Sequence, residues 1–461
     1  MKLNKRSADA IAIEFVRKTG WEQRREALPP AWRALAQANG FEAKPGALLI
    51  APATDGEAPR VFFGVEDAGD RHDPFLAGKL ASALPAGLYR FDESVPEPAQ
   101  AALAFLLSSY SFLHYKKPKT ESVRLCAPAG VDQARIERIA AAVALGRDLV
   151  NTPANDMGPI ALADTALALA QKHGAQTRVI EGDALLAENF PLIHAVGRAS
   201  DQAPRLVEFT HGPADGLKVT LVGKGVCFDS GGLNIKPSGA MALMKKDMGG
   251  AAAAIALASM LMDGGVPIRL RVLLPIVENS ISSNAFRPGD VYRSRKGLTV
   301  EIGDTDAEGR LILADALAYA CEDEPDLLFD FATLTGAARV ALGPELPPFY
   351  TGDDALASDI AASGLRVNDP VWRMPLWDNY DSGLDGKISD LVSVTSGGFS
   401  GSIVAALFLR RFVSAPARWA HFDIYAWSPS AKPGRPEGGE VQAARLLYDL
   451  IEERAAQGHK A

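Results

Sequence analysis

Apolar and polar positions follow two regimes along the chain. Up to about residue 115 the pattern is irregular. Strands are predicted at Ala47–Ile50 and Arg60–Phe63, and an Ala- and Leu-rich helix at Ala101–Ser109. The polar, basic stretch from His114 to Ser122, broken by Pro118, reads as a loop near a domain boundary, and a short strand is expected at Val123–Cys126. From Asp132 the signal sharpens. Asp132 caps an amphipathic helix that runs to about Val150, where NTPAND (151–156) breaks it. Short apolar runs then alternate with helical periods. Leu206–Phe209, Val219–Val222, Leu270–Leu274, Leu327–Phe331 and Phe422–Tyr425 are predicted as buried strands. Helices are predicted at Ile160–His173, Gly250–Met262, Arg310–Cys321, Ile403–Phe412 and Val441–Glu453. Such alternation predicts an α/β domain with a mostly parallel central sheet flanked by helices. Ligand sites in these sheets gather beyond the carboxyl ends of the strands.

Two segments at such ends carry the chemistry. The first is VGKGVCFDSGGLNIKPSGAMALMKKDMGG, 222–250. Lys224 stands between two glycines at a strand mouth, Asp229 precedes a tight Ser-Gly-Gly turn, and Asp247 stands two residues before a Gly-Gly helix start. Taken singly, Asp229 is equally an Asx turn and Asp247 a helix cap. The Gly-Lys-Gly loop lacks the spacing of a phosphate cradle. The second is GLTVEIGDTDAEGRLILADAL, 297–317, where a strand Leu298–Ile302 runs into Asp304, Asp306, Glu308 and Arg310. If the chain stays extended, Asp306 and Glu308 point to one side. An acid-rich helix start favoured by the macrodipole explains Glu308 alone. Carboxylates this close repel unless a cation, or a nearby Lys or Arg, neutralises them; hard carboxylate oxygens suit divalent ions, which one shared carboxylate can bridge.

Composition narrows the choice. With 48 Lys+Arg against 56 Asp+Glu the net charge is -8, which disfavours nucleic acid and anionic membranes as partners. Cys126, Cys227 and Cys321 are isolated, and the seven His form no HxxxH pair, so a thiolate or imidazole metal site is not expected. No stretch approaches roughly 18 consecutive apolar residues and the start lacks a signal-peptide core, so a cytoplasmic protein without a membrane span is the expectation. His421 is expected to be a satisfied core histidine, Cys227 a small buried residue, and KKPK (116–119) a solvated loop. Trp372, Trp377 and Phe399 are expected to pack or to line an interface.

The chain resembles the leucyl aminopeptidase family over roughly residues 131–461. The likeness rests on NTPAN (151–155), VGKGVCFDSGGLNIKP (222–237), KKDMGGAAA (245–253), RPGDV (287–291), TDAEGRLILADAL (305–317), DFATLTGA (330–337) and WAHFDI (419–424). Residues 1–130 match weakly, and an N-terminal α/β domain is inferred there by position, ahead of a catalytic domain at 131–461. The resemblance implies a metal-dependent exopeptidase with two divalent ions, Mn²⁺ or Zn²⁺. It implies that Lys224, Asp229, Asp247 and Glu308 hold one ion, and Asp229, Asp306 (side chain and main-chain carbonyl) and Glu308 the other. Lys236 matches the lysine that stabilises the carbonyl oxygen, and Arg310 the arginine that holds a bicarbonate general base. Met244, Thr333 and Leu334 match the wall of the pocket for the N-terminal side chain. The resemblance also implies a homohexamer and peptide substrates with apolar first residues such as leucine. Cysteinylglycine hydrolysis and an added DNA-binding role are the alternatives. Asp304 departs from the family's Asn, and Cys227 from its common Thr.

Overall fold

The computed structural model describes residues 1–67, 69, 72–117, 122–414 and 418–458. Pro118, Lys119 and most of the far half of the predicted 114–122 loop lie outside the described residues; Lys116 and Lys117 are exposed. The chain divides into two compact units, Met1–Ala144 with Ser430–Glu437, and Leu145–Pro429 with Gly438–Ala461.

The first unit is built on a five-stranded sheet in the order Leu48–Ala51, Arg60–Val65, Ile11–Arg17, Gly87–Phe91, Val123–Leu125. All neighbours are parallel except the first pair. The predicted strands at 47–50, 60–63 and 123–126 are present within a residue or two. The central strand Ile11–Arg17 is not evident from the pattern because Glu14 interrupts its apolar run. Glu14 is nonetheless buried, held by Arg24 at 2.5 and 2.8 Å and by Arg60 at 2.9 Å. Burial pushes its carboxyl up, but these two guanidinium groups outweigh that and hold it below its ordinary value. Trp21, Trp32, Phe41 and Phe62 fill one face, in edge-to-face contacts 4.9–6.0 Å between ring centres.

The second unit holds a larger sheet. Four strands, Arg418–Asp423, Leu327–Ala332, Leu217–Gly223 and Ile268–Asn279, run parallel in that spatial order. Gly225–Asp229 adds a parallel strand beside the far half of Ile268–Asn279. Antiparallel strands close the flanks: Pro348–Tyr350 on one side, Arg205–His211 and Gln176–Glu181 on the other. The mostly parallel sheet predicted from the alternation is therefore observed, and its centre is apolar on both faces as such sheets require. Helix Gly249–Asp263 shows why: its Ala-rich sequence is buried on every side except at its last residue. Helices Glu308–Cys321 and Gly401–Arg410 are likewise mostly buried.

Three differences from the sequence reading bear on the site. The last parallel strand is Arg418–Asp423 rather than 422–425; it pairs residue for residue with Leu327–Ala332, and Tyr425 lies past its end. The 298–302 strand contracts to Thr299–Glu301. The chain does not stay extended after it. Thr305–Ala307 form a 3-10 turn, capped by the Asp304 carboxylate, which accepts from Asp306 N at 2.9 Å. Asp306 and Glu308 are thus brought together by a helical turn, not by strand alternation.

Candidate active site

Every principal group of the site stands where a parallel strand ends or a helix begins. Lys224 follows Leu217–Gly223, Asp229 closes Gly225–Asp229, Asn279 closes Ile268–Asn279, Thr333 follows Leu327–Ala332, and Asp423 closes Arg418–Asp423. Asp247 lies in the 3-10 helix Met244–Met248 that feeds the buried helix 249–263, and Glu308 opens helix 308–321. This is the crevice that the topology predicts for a ligand.

Two lysines are threaded through four carboxylates. Lys224 Nζ lies 2.7 Å from Asp247 Oδ2 and 2.9 Å from Glu308 Oε1, and donates to Thr333 O at 2.8 Å. Lys236 Nζ lies 2.7 Å from Asp229 Oδ2 and also pairs with Asp306. Carboxylate oxygens of Asp229, Asp306 and Glu308 fall within 4.8 Å of one another. Asp229 Oδ1 accepts from Gly231 N at 2.9 Å and Asn279 Nδ2 at 2.8 Å. Asn279 also donates to Thr305 O at 3.0 Å, so it ties the two chemical segments together. A register shift between Val277 and Asn279 aims it there, as bulges beside sites commonly do. Two glycines make room. A Cβ on Gly309 would lie 2.6 Å from Lys224 Cε, and one on Gly250 2.1 Å from Phe331 O.

The electrostatics of this cage are unresolved within the protein. Asp229, Asp247 and Glu308 are buried, with Asp306 the most open of the four. Burial, then Asp229, drives the Glu308 carboxyl up to about 8 and that of Asp306 up to about 6. Burial also pushes Asp247 up, against the pull of Lys224. Both lysines rise above their ordinary values, because the carboxylates outweigh the desolvation of the ammonium groups. Glu308 Oε2 is buried without a hydrogen-bond partner. Clustered hard oxygen donors, one of them orphaned, fit divalent cations.

Around the cage the sequence-predicted residues are placed as follows. Arg310 is buried; its Nη1 donates to Ser393 O at 2.6 Å while its Nε has no partner, and burial lowers the guanidinium to about 10. Thr333 Oγ1 donates to Asp247 Oδ1 at 2.8 Å. Met244 is half-buried at the start of the 3-10 helix. Leu334 packs its side chain toward the large core cluster, while its N–H donates to Asp423 Oδ1 at 3.0 Å. Asp423, with Asn279, was not singled out from the sequence. It also accepts from Thr335 N at 3.1 Å and Thr335 Oγ1 at 2.6 Å, and so fixes the 333–335 turn that supplies the Lys224 acceptor. The signal for both residues is a polar side chain closing a buried strand.

The remaining expectations divide. His421 is fully buried, its Nδ1 2.6 Å from Asp330 Oδ1, though its Nε2 lacks a partner. Cys227 is buried, and burial raises its thiol well above the ordinary value, as suits a packing residue. Trp372, Trp377 and Phe399 are 59%, 53% and 86% exposed, so they do not pack within this chain. No helix among the described residues is long and apolar enough to cross a membrane.

Comparison with known proteins follows the same lines. Residues 144–448 match the model for the cytosol aminopeptidase family, catalytic domain, and residues 11–128 the M17 aminopeptidase N-terminal domain. A probable cytosol aminopeptidase of Syntrophotalea carbinolica is 40% identical over 82% of this chain and 78% of its own. Another from Rhodococcus opacus is 38% identical over 87% of this chain and 79% of its own. The crystal structure of the Coxiella burnetii cytosol aminopeptidase superposes with a TM-score of 0.94 at 42% identity, covering 98% of this chain and 99% of that one. The bottromycin maturation enzyme BotP in complex with Mn superposes at 0.87 with 36% identity, covering 97% and 100%.

Proposed function

The chain belongs to the cytosol aminopeptidase family of metal-dependent peptidases, and from that premise we propose that it releases the N-terminal residue of peptides using two divalent ions held in the lysine–carboxylate cage. The observation that carries the reading is the convergence of Asp229, Asp306 and Glu308 oxygens within 4.8 Å beside the buried, unpartnered Glu308 Oε2. Lys224, Asp229, Asp247 and Glu308 would hold one ion, and Asp229, Asp306 and Glu308 the other. Bound there, Mn²⁺ or Zn²⁺ supplies Lewis acidity toward the scissile carbonyl and lowers the pKa of water. The manganese in BotP favours Mn²⁺ as the first ion to test.

The protein's own groups do the rest. Lys236, whose partners Asp229 and Asp306 would be engaged by the cations, would present its ammonium to the carbonyl oxygen as negative charge develops there. Arg310, fixed by Ser393 and with Nε unsatisfied, offers a buried cationic seat for bicarbonate as general base. Asn279 and Asp423 act through others, holding Asp229 and the 333–335 turn in place. Met244 and Thr333 line the pocket for the first side chain, which is where an apolar residue such as leucine is received; Leu334 completes that wall through its backbone.

At the scale of the assembly, we place the protein in the cytoplasm as a homohexamer. The exposed Trp372, Trp377, Ile388 and Phe399 support burial against further copies. The division into an N-terminal domain, 1–130, and a catalytic domain, 131–461, belongs to the same reading. Its test is hydrolysis of leucine p-nitroanilide by protein loaded with Mn²⁺ or Zn²⁺. Turnover that vanishes on chelation is expected; folded, metal-loaded protein inert toward every N-terminal anilide would contradict the proposal.

A further inference from the structure

Beside the cage stands a pair of cations that the reaction above does not use. Lys246 is only 6% exposed, and its Nζ lies 4.8 Å from the centre of the Tyr425 ring. Arg339 places its Cζ 4.9 Å from the centre of the same ring. Neither side chain forms a hydrogen bond or an ion pair with any described residue, although both backbones are paired, Lys246 N to Leu243 O at 3.1 Å and Gly343 N to Arg339 O at 2.8 Å. The neighbouring Lys245 is different, since its Nζ donates to Asn151 O at 2.5 Å.

The carboxylates nearby are already engaged. Asp423 accepts from Leu334 N, Thr335 N and Thr335 Oγ1. Asp247 faces Lys224 and Thr333. A ring face offers a cation about 0.5–2 kcal/mol. Burying an ammonium costs several kcal/mol unless an anion meets it, and a second cation on the same ring adds repulsion. Lys246 feels Asp247 and Asp423 only through space, and the exposed Arg339 beside it leaves the pair open to an anion from outside.

The position of the pair says which anion. Lys246 is two residues beyond Met244 and directly precedes Asp247, whose main-chain carbonyl receives the Thr333 hydroxyl at 2.9 Å. Arg339 sits in helix Gly336–Leu342, which leaves the 333–335 turn directly. Tyr425 precedes Ala426, and a Cβ on Gly249 would lie 2.2 Å from Ala426 Cβ and 3.2 Å from Thr333 Cγ2. All three residues therefore hang on segments that form the proposed pocket for the first side chain. We infer that Lys246 and Arg339, set on the Tyr425 ring and carried by segments that adjoin Met244 and Thr333, form a subsite for the side-chain carboxylate of an N-terminal aspartate or glutamate. This rests on the aminopeptidase reading and extends it, from apolar first residues to acidic ones.

The test compares glutamate, glutamine and leucine p-nitroanilides near neutral pH with the Mn²⁺-loaded enzyme. Glutamate and glutamine share a shape and differ in charge. The expected wild-type kcat/KM is about tenfold higher for glutamate than for glutamine. Lys246→Met should lower that ratio about tenfold, and Lys246→Arg should restore part of it. Arg339→Gln, at an exposed position where folding is not at stake, should lower it at least about threefold. A wild-type ratio of one or less overturns the inference, as does a ratio unchanged in the Lys246 and Arg339 variants. A substrate's C-terminal carboxylate is the competing source. If the variants slow Leu-Gly but neither Leu-Gly-amide nor the glutamate anilide, the side-chain assignment is overturned. Failure to hydrolyse even the leucine anilide overturns the aminopeptidase reading itself, a separate result from leucine turnover without a charge preference.

Discussion

Lys236 and Lys224 carry the same charge in the same cage, yet their surroundings assign them different work. Lys224 is locked by Thr333 O and by the space that Gly309 leaves for it. Among the described residues the Lys236 side chain has only carboxylates for partners, Asp229 and Asp306, and it is the more open of the two. Lys236→Met is therefore expected to lower kcat by roughly 10²–10³-fold, the scale of a lost oxyanion donor, while the metal content of the purified protein stays at the wild-type level. Elemental analysis beside steady-state kinetics checks both halves; loss of metal in step with kcat would make Lys236 a structural member of the cage. Most of these residues are legible in the sequence because KGVCFDSGG and TDAEGRL pack several functional groups into a few contiguous positions. Asn279 and Asp423 are not legible. Their roles depend on a bulge that aims one and on a strand register that sets the other against a distant turn. Lys246 was hidden for another reason: a lysine in KKD reads as solvated until the fold shows it buried against Tyr425.

At the scale of elements, strand Arg418–Asp423 illustrates how one face carries both stability and function. Trp419, His421 and Asp423 alternate onto the same side. Trp419 Nε1 donates to Asp330 Oδ2 at 2.6 Å, and His421 meets Asp330 Oδ1 from the register-paired position on the next strand. Burial pulls the His421 imidazole down, but the Asp330 carboxylate, helped by Asp423 and opposed by Arg310, wins and holds it above its ordinary 6.5. Because the folded value exceeds the unfolded one, the pair's stabilisation is fully present below about pH 6.5 and declines as pH rises through the raised folded value. Asp330→Ala should cost about 3–5 kcal/mol at low pH and less at high pH, since it leaves a buried imidazole unpaired. Chemical denaturation of both proteins across pH 6–9 measures this, and a pH-independent difference would refute it. Most helices of the second unit and four of its parallel strands were legible from their apolar patterns, while helices Pro30–Ala38 and Asp354–Arg366 and the short strands Gly87–Phe91 and Gly225–Asp229 were not. The strand Ile11–Arg17 was obscured by Glu14, whose ion pairs make an acid tolerable in a core position. The 305–308 segment shows the opposite error, where a strand-like spacing is overridden by the Asp304 cap.

For the whole molecule, the surplus of acids in the sequence takes on a local meaning. A net charge of -8 first counted against nucleic acid, and four of those acids prove to converge on two lysines at the ends of five parallel strands. Scattered histidines and cysteines exclude only imidazole and thiolate centres; four carboxylates and two lysines form a cage without them. The two family models at 11–128 and 144–448 leave little of the chain unaccounted for, and the Coxiella burnetii relative superposes along 98% of it. The central claim is that this cage holds two ions and that peptide hydrolysis depends on both. Titrating the chelated protein with Mn²⁺ while following leucine p-nitroanilide turnover tests it most directly. The account predicts no turnover without metal, and activity that saturates as two equivalents per chain are bound, with Asp229→Ala binding neither tightly. Full turnover in the chelated protein, or saturation at a single bound ion, would contradict it.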